Sequence, residues 1–159
     1  MAQRIASNLL IFGLLSACAL APTQEMSDAR QAVQTAIQAE APTYAPLRLY
    51  QAQSLLSTAR NHLAQGQYRN ARHIATQAKS QARLAREIAI RVKEAEQLVN
   101  QAIADGTLSE DTQERLKQAL AAARQGNDEL ALRLAQEATR LADRDISRKN
   151  PHPDHTHDF

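Results

Sequence analysis

The side chains that could do chemistry fall into three groups: one thiol, a set of basic residues and a histidine cluster. Cys18 is the only cysteine in the 159 residues, so its thiol has no partner for a disulfide within the chain. Its neighbours provide no further metal ligands and no catalytic base. The thiol is therefore better suited to covalent modification than to catalysis, and the residues before it suggest which modification.

A secretory signal precedes Cys18. Arg4 gives the N-terminus a positive charge, and residues 9–15 are apolar without interruption. This stretch is too short to cross a bilayer, because a membrane-spanning helix needs about 20 apolar residues. The following letters, LSAC at 15–18, resemble the bacterial lipobox, and the resemblance implies that Cys18 is acylated and becomes the first residue of the mature chain. An ordinary signal peptide cut near Ala19 or Ala21 is the alternative.

A lipid on Cys18 predicts a membrane location. Stable anchoring takes more than one acyl chain, and a lipoprotein cysteine carries two or three. Residue 19 is alanine, whereas an aspartate there would suggest retention in the inner membrane. The resemblance to lipoproteins of enteric bacteria therefore implies attachment to the outer membrane on its periplasmic face. The predicted organisation is a signal peptide over 1–17, a lipidated tether over 18–25, a helical domain over 26–148 and a tail over 149–159.

The basic residues form a stripe in the middle of the chain. No Asp or Glu occurs between Ala41 and Arg86, although the net charge of the whole chain is only +2. We define the basic stripe as the cations spaced by threes and fours along the predicted third helix: Arg69, Arg72, Lys79, Arg83 and Arg86. A face of one sign attracts anions, so an acidic envelope protein or an anionic envelope surface is the expected partner. A solvated face, or neutralisation by acids such as Glu129 or Glu137, is the alternative.

The C-terminal tail reads NPHPDHTHDF. Its three histidines, His152, His155 and His157, could hold zinc or another transition metal weakly. His155 and His157 could chelate the ion from an extended chain. A tail of this composition is more often simply polar and disordered. No other cofactor is expected, apart from the covalent lipid.

The elements that position these groups are predicted to be helices, so the fold class is all-α. The chain lacks Trp, and alanine with scattered Leu, Ile and Val supplies most of its apolar surface. No stretch alternates with the period of two that strands require. About five helices are expected, bounded as follows: from a Ser27 cap to about Glu40, from about Pro46 to Gly66, from about Gln67 to Ala104, from a Ser109 cap to Gly126, and from there to about Arg148.

An internal repeat relates two of the predicted helix–glycine–helix hairpins at an offset of sixty residues. The matched positions are Leu56, Ala59, Gln65, Gly66, Ala71, Ala75, Ala78 and Ala82 against Leu116, Ala119, Gln125, Gly126, Ala131, Ala135, Ala138 and Ala142. The expected architecture is an elongated bundle or an array similar to tetratricopeptide repeats, with the two hairpins joined by one long helix. A true tetratricopeptide repeat would recur every 34 residues.

The segment over 29–92 resembles a domain-of-unknown-function family of small bacterial helical lipoproteins. Two motifs carry the resemblance: APLRLYQA at 45–52 and GQYRNA at 66–71. Some relatives place this module before an OmpA-like domain that binds peptidoglycan, whereas here a second helical hairpin follows. The resemblance implies a cell-envelope context and names no activity.

The sequence favours binding over catalysis. It contains no glycine-rich phosphate loop, no His-Glu-x-x-His and no arrangement of a nucleophile with a base. Glu110 and Asp111 are explained by the positive end of a helix dipole. We expect a structural or adaptor protein, not an enzyme and not a nucleic-acid binder. The alternatives are a pilotin-like escort of an outer-membrane channel and a metal-handling protein that acts through its tail; self-association is left open.

Overall fold

The computed structural model describes residues 21–149, and this part of the chain consists of helices joined by short turns. Cys18 and the three tail histidines lie outside the described residues. Six helices occur within them: α1 Thr23–Gln38, α2 Ala41–Tyr44, α3 Pro46–Ala64, α4 Tyr68–Ala104, α5 Glu110–Gln125 and α6 Asp128–Lys149. The predicted all-α class is confirmed. The additional helix is α2, a single turn in the segment where the sequence predicted a break.

The first helix begins earlier than predicted. Ser27 was expected to cap it, but α1 starts at Thr23, and residues 23–25 of the predicted tether are helical. Packing around Pro22 explains the difference, because this residue is the N-cap of α1 although its own backbone is not helical, with ψ of 56°. The Pro22 ring is fully buried, and its carbonyl accepts the N–H of Met26 at 3.0 Å. Ser27 is already within the helix and exposed, so it cannot act as a cap.

The helix α4 is the centre of the molecule and packs against α1, α3 and α6. Its 37 residues correspond to about 55 Å of helix. Every position of the predicted apolar seam is buried, and most of them are alanine: Ala71, Ala75, Ala78, Ala82, Ala85, Ile88, Val92, Ala95, Val99 and Ala102. Small side chains let the neighbouring helices approach to the short end of the usual 8–10 Å spacing.

The internal repeat is visible in the backbone. Gly66 and Gly126 both adopt the left-handed conformation, with φ of 71° and 74°. In each turn the residue after the glycine donates its N–H to the carbonyl four residues before the glycine, at 2.9 Å. This is the Schellman arrangement that ends a helix. Apart from the Gln-Gly pairs that form the turns, all the matched positions are buried in both copies.

The repeat extends beyond the hairpins, which the sequence reasoning missed. Ion pairs from Glu25 to Arg72 and from Glu40 to Lys93 show that α1 runs parallel to α4. The buried face of α1 matches the later part of α4 at an offset of 66 residues: Met26, Ala29, Val33 and Ala36 against Val92, Ala95, Val99 and Ala102. The molecule is therefore two three-helix units, α1–α3–α4 and α4–α5–α6, which share α4.

Candidate interaction surface

The basic stripe lies along the first half of α4, beside α1. Four of its five residues are exposed, and Lys79 is half-buried. Two of the cations are paired by acids on α1. Arg72 Nε lies 2.8 Å from Glu25 Oε1, and Lys79 Nζ lies 2.6 Å from Asp28 Oδ2. The stripe is thus partly neutralised within its own three-helix unit.

The neutralising acids are not the ones that the sequence suggested. Glu137 pairs instead with Arg115 at 3.4 Å, and Glu129 is exposed at the start of α6. The hydrogen bond from Lys79, helped by one from Gln24, lowers the pKa of Asp28, and the positive charge of Arg83 acts in the same direction. No spacing rule in the sequence could have indicated partners that are about fifty residues apart.

Several cations of the first unit remain open to solvent. Arg60 on α3 and Arg69, Arg83 and Arg86 on α4 are exposed. None of them forms an ion pair with another residue between 21 and 149. Since no acid occurs over 41–86, these cations keep a positive potential around the α3–α4 turn and along α4.

One basic residue of this region is internal and joins the two units. Arg48 donates through Nη1 to Gln81 Oε1 at 2.7 Å and to Gln51 Oε1 at 2.9 Å. Its Nη2 forms an ion pair with Asp128 and contacts the carbonyl of Gly126 at 3.5 Å. Arg48 Nε and Asp128 Oδ1 are buried without a hydrogen-bond partner. This pair is a junction between α3, α4 and the turn before α6, and it does not offer its charge to a ligand.

A hydroxyl–carboxylate cluster occupies the far end of the molecule. Asp145 Oδ2 accepts hydrogen bonds from the N–H of Ser109 at 3.0 Å, from Ser109 Oγ at 2.7 Å and from Thr112 Oγ1 at 2.6 Å. Burial acts to raise the pKa of Asp145, but the hydrogen bonds from Thr112 and Ser109 outweigh it, so the pKa is lowered. Ser109 also accepts the N–H of Thr112 at 3.4 Å, as predicted for the cap of α5. The cluster fastens α5 to α6, and its carboxylate acts only as an acceptor.

A buried phenol fixes the α2 turn against α4. Tyr44 is 8% exposed and donates its hydroxyl proton to Glu96. This hydrogen bond, together with burial, raises the pKa of Tyr44 to about 12. The phenol is therefore neutral at physiological pH. Neither Tyr44 nor Asp145 was singled out from the sequence, because both partnerships join distant segments.

No group of three or more His, Cys, Asp or Glu side chains within residues 21–149 could hold a metal ion. His62 Nδ1 instead contacts Gln67 Oε1 at 2.5 Å, and His73 Nε2 lies 3.2 Å from Gln77 Nε2. None of the helices described here is long and apolar enough to cross a bilayer. The predicted metal ligands of the tail stay a prediction.

The fold and the surface define an all-helical hairpin protein with a cationic first unit. Residues 24–98 match the model of a family described as Domain of unknown function (DUF4398). The match covers α1, α2, α3 and most of α4, which is less than half of the chain, and it ends before the second hairpin. No curated protein and no solved structure matches the chain. The predicted relationship to a domain-of-unknown-function family is confirmed for this segment.

Proposed function

We propose that this protein is a lipid-anchored adaptor of the bacterial outer membrane, which presents helical surfaces to an envelope partner in the periplasm. The observation that carries the proposal is the closeness of the lipobox-like cysteine to the folded part of the chain. The bundle begins at Thr23, five residues after Cys18. A fully extended chain covers up to about 3.6 Å per residue, so this tether reaches about 18 Å at most.

A short tether and a long central helix together favour a presenting role. The anchor keeps the first turn of α1 close to the membrane, while the 37-residue α4 extends the bundle over about 55 Å. Such a rod offers lateral surfaces to a partner near the bilayer. The exposed cations in the middle of α4, Arg83 and Arg86, suit a partner with an acidic surface.

The anchor is tested by metabolic labelling in bacterial cells. Cells that express the full chain are grown with an alkyne fatty acid, and the wild type is compared with Cys18→Ser. We expect label and membrane sedimentation for the wild type and loss of both for the variant. A serine variant that still takes up label and still sediments with outer membranes would contradict the proposal.

The adaptor role is tested by photo-crosslinking in cells. A photoreactive residue is placed at position 86 on the stripe or, as a control, at Gln113 on α5; both positions are exposed. We expect one defined envelope protein to be captured from position 86 and not from position 113. A captured outer-membrane channel subunit would favour the pilotin-like alternative. Equal and diffuse labelling from both positions would count against a specific partner on the stripe.

A further inference from the structure

Three helix ends meet at the end of the bundle that is nearest to the predicted anchor. The first turn of α1 lies beside the start of α4, because Glu25 contacts Arg72. The Gly66 turn joins the end of α3 to the start of α4 at the same level. α5 and α6 meet the first hairpin at its opposite end, where Arg48 contacts Asp128.

This end carries a surplus of positive charge. We define the cationic end as Arg60, Arg69 and Arg72. Glu25 forms an ion pair with Arg72 of this set. The side chains of Arg60 and Arg69 are exposed and form no ion pair with any residue in 21–149. The sequence places no acid between 41 and 86, and the nearest further acid on α1, Asp28, is held by Lys79.

We propose that the cationic end docks on anionic phospholipid headgroups of the membrane that holds the anchor. The inference rests on the proposed lipid anchor, which brings this end to within about 18 Å of the bilayer surface. A negatively charged leaflet attracts basic side chains that lie within about 8–10 Å of it at physiological ionic strength. The lipid supplies the attachment, and Arg60 and Arg69 orient the bundle, so that α4 points away from the membrane.

The test uses the mature chain from residue 18 onward with Cys18→Ser, which retains all of the described residues and carries no lipid. Its binding to vesicles of phosphatidylcholine with phosphatidylglycerol is compared with its binding to pure phosphatidylcholine at low ionic strength. We expect binding to the anionic vesicles only, with loss as salt rises. The Arg60→Gln/Arg69→Gln variant should bind about 30-fold more weakly, which corresponds to about 1 kcal/mol per basic side chain near the surface.

A matched control separates position from net charge. Arg140 and Arg144 on α6 are exposed and lack an ion pair within the described residues, so Arg140→Gln/Arg144→Gln removes the same charge far from the cationic end. We expect this variant to bind within about two-fold of the parent. A loss equal to that of Arg60→Gln/Arg69→Gln would overturn the proposal, because net charge would then explain the binding. Unchanged circular dichroism of both variants confirms that the fold is intact.

Orientation gives a second readout. The Cys18→Ser background has no other cysteine, so a single environment-sensitive label can be placed at Gln65→Cys in the α3–α4 turn or at Gln113→Cys on α5. We expect the fluorescence to change on anionic vesicles at position 65 and not at position 113. The opposite pattern, or binding to isolated cell wall but not to vesicles, would overturn the proposal. Since the chain is unlipidated here, a failure of the proposed anchor at Cys18 would leave this result unaffected, and the two failures are distinguishable.

Discussion

At the scale of single residues, this bundle depends on a few polar contacts because its core is thin. Burial of apolar surface stabilises a protein by about 25 cal/mol for each Å². Because an alanine side chain buries little apolar area, each helix gains only modest stabilisation from packing. Charged and hydroxyl side chains then determine how the helices align. The pairs from Glu25 to Arg72 and from Asp28 to Lys79 set α1 against α4, and Asp145 sets α6 against α5.

Removing the charge of Asp145 should weaken the fold and change its response to acid. The pKa of this buried carboxyl is lowered in the folded state. Its contribution to the free energy of unfolding is therefore complete above about pH 3.9, the pKa of an unfolded aspartate, and is lost as the pH falls through the lower pKa of the folded state. Asp145→Asn should reduce the free energy of unfolding by about 2 kcal/mol at neutral pH. It should also lose less stability than the wild type when acidified below about pH 4.

Urea unfolding followed by circular dichroism over a pH series measures both effects. Asp143→Asn is the matched control, because Asp143 is on the same helix and exposed. An Asp145 variant that behaves like the Asp143 variant would mean that the hydroxyl–carboxylate cluster does not stabilise the molecule.

Tyr44 makes the fold sensitive to alkali. Its pKa is raised to about 12 in the folded state, whereas an unfolded tyrosine titrates near 10. The contribution of Tyr44 to the free energy of unfolding is therefore complete below about pH 10 and is lost as the pH rises from there towards 12. Tyr44→Phe should cost about 1.5 kcal/mol at neutral pH and should remove this alkaline loss.

Thermal melting at neutral and alkaline pH checks the role of Tyr44. Tyr50→Phe serves as the control, because Tyr50 is 68% exposed. If both variants melt like the wild type over the whole range, the hydrogen bond to Glu96 contributes no stability.

At the scale of elements, the helices were predictable where their signals are local. The periodic Ala, Ile and Val residues that predicted α4 lie close together in the sequence. The two ends of α4 were predictable from the turns next to them. The start of α1 was missed, because the buried ring of Pro22 depends on tertiary packing that no local rule contains. The turn at α2 was missed for a similar reason: Glu40 holds a left-handed φ of 63°, which glycine would have signalled.

The two repeated glycine turns should differ in their tolerance of a side chain. Both have positive φ, so alanine at either position is strained by about 1 kcal/mol. A Cβ at Gly66 meets nothing within 4 Å, whereas one at Gly126 would lie 2.7 Å from Cδ2 of Leu47. We expect Gly126→Ala to lower the melting temperature more than Gly66→Ala.

A double-variant cycle isolates the contact at Gly126. Adding Leu47→Ala should remove the excess cost of Gly126→Ala and leave that of Gly66→Ala unchanged. Equal costs at the two glycines would show that Leu47 does not pack against the second turn as described.

At the scale of the whole molecule, α4 belongs to both three-helix units, and Arg48 is the polar contact that joins them. Its side chain is 20% exposed and that of Asp128 is 16% exposed, so loss of one partner leaves a charge largely out of water. Arg48→Met should lower the free energy of unfolding by about 2 kcal/mol, and hydrogen exchange should rise around the α5–α6 turn. The Arg48→Met/Asp128→Leu variant should recover most of the loss, because an apolar pair replaces the ion pair.

The double variant can also remain as unstable as Arg48→Met. The loss would then come from the hydrogen bonds of Arg48 to Gln81 and Gln51, which lie within the first unit, and the charge pair with Asp128 would not be what joins the two units. Urea unfolding of the three proteins distinguishes these cases.

The candidate surface was only partly predictable from the sequence. The basic stripe followed from local spacing, whereas its neutralisation by Glu25 and Asp28 joins residues about fifty positions apart. The sequence likewise did not indicate that both units share α4. The repeat of α1 in α4 has an offset of 66 residues, whereas the repeat of the hairpins has an offset of sixty residues. The acylation of Cys18 remains a prediction from the sequence.

Mass spectrometry of the mature N-terminus determines whether Cys18 carries the proposed lipid anchor. The full chain is expressed in a bacterium that processes lipoproteins and is recovered from the outer-membrane fraction. The proposal predicts an N-terminal peptide that begins at Cys18 and carries acyl chains on its sulfur. A mature chain that begins near Ala19 or Ala21, or an unmodified Cys18 in a protein recovered from the soluble periplasmic fraction, would contradict it.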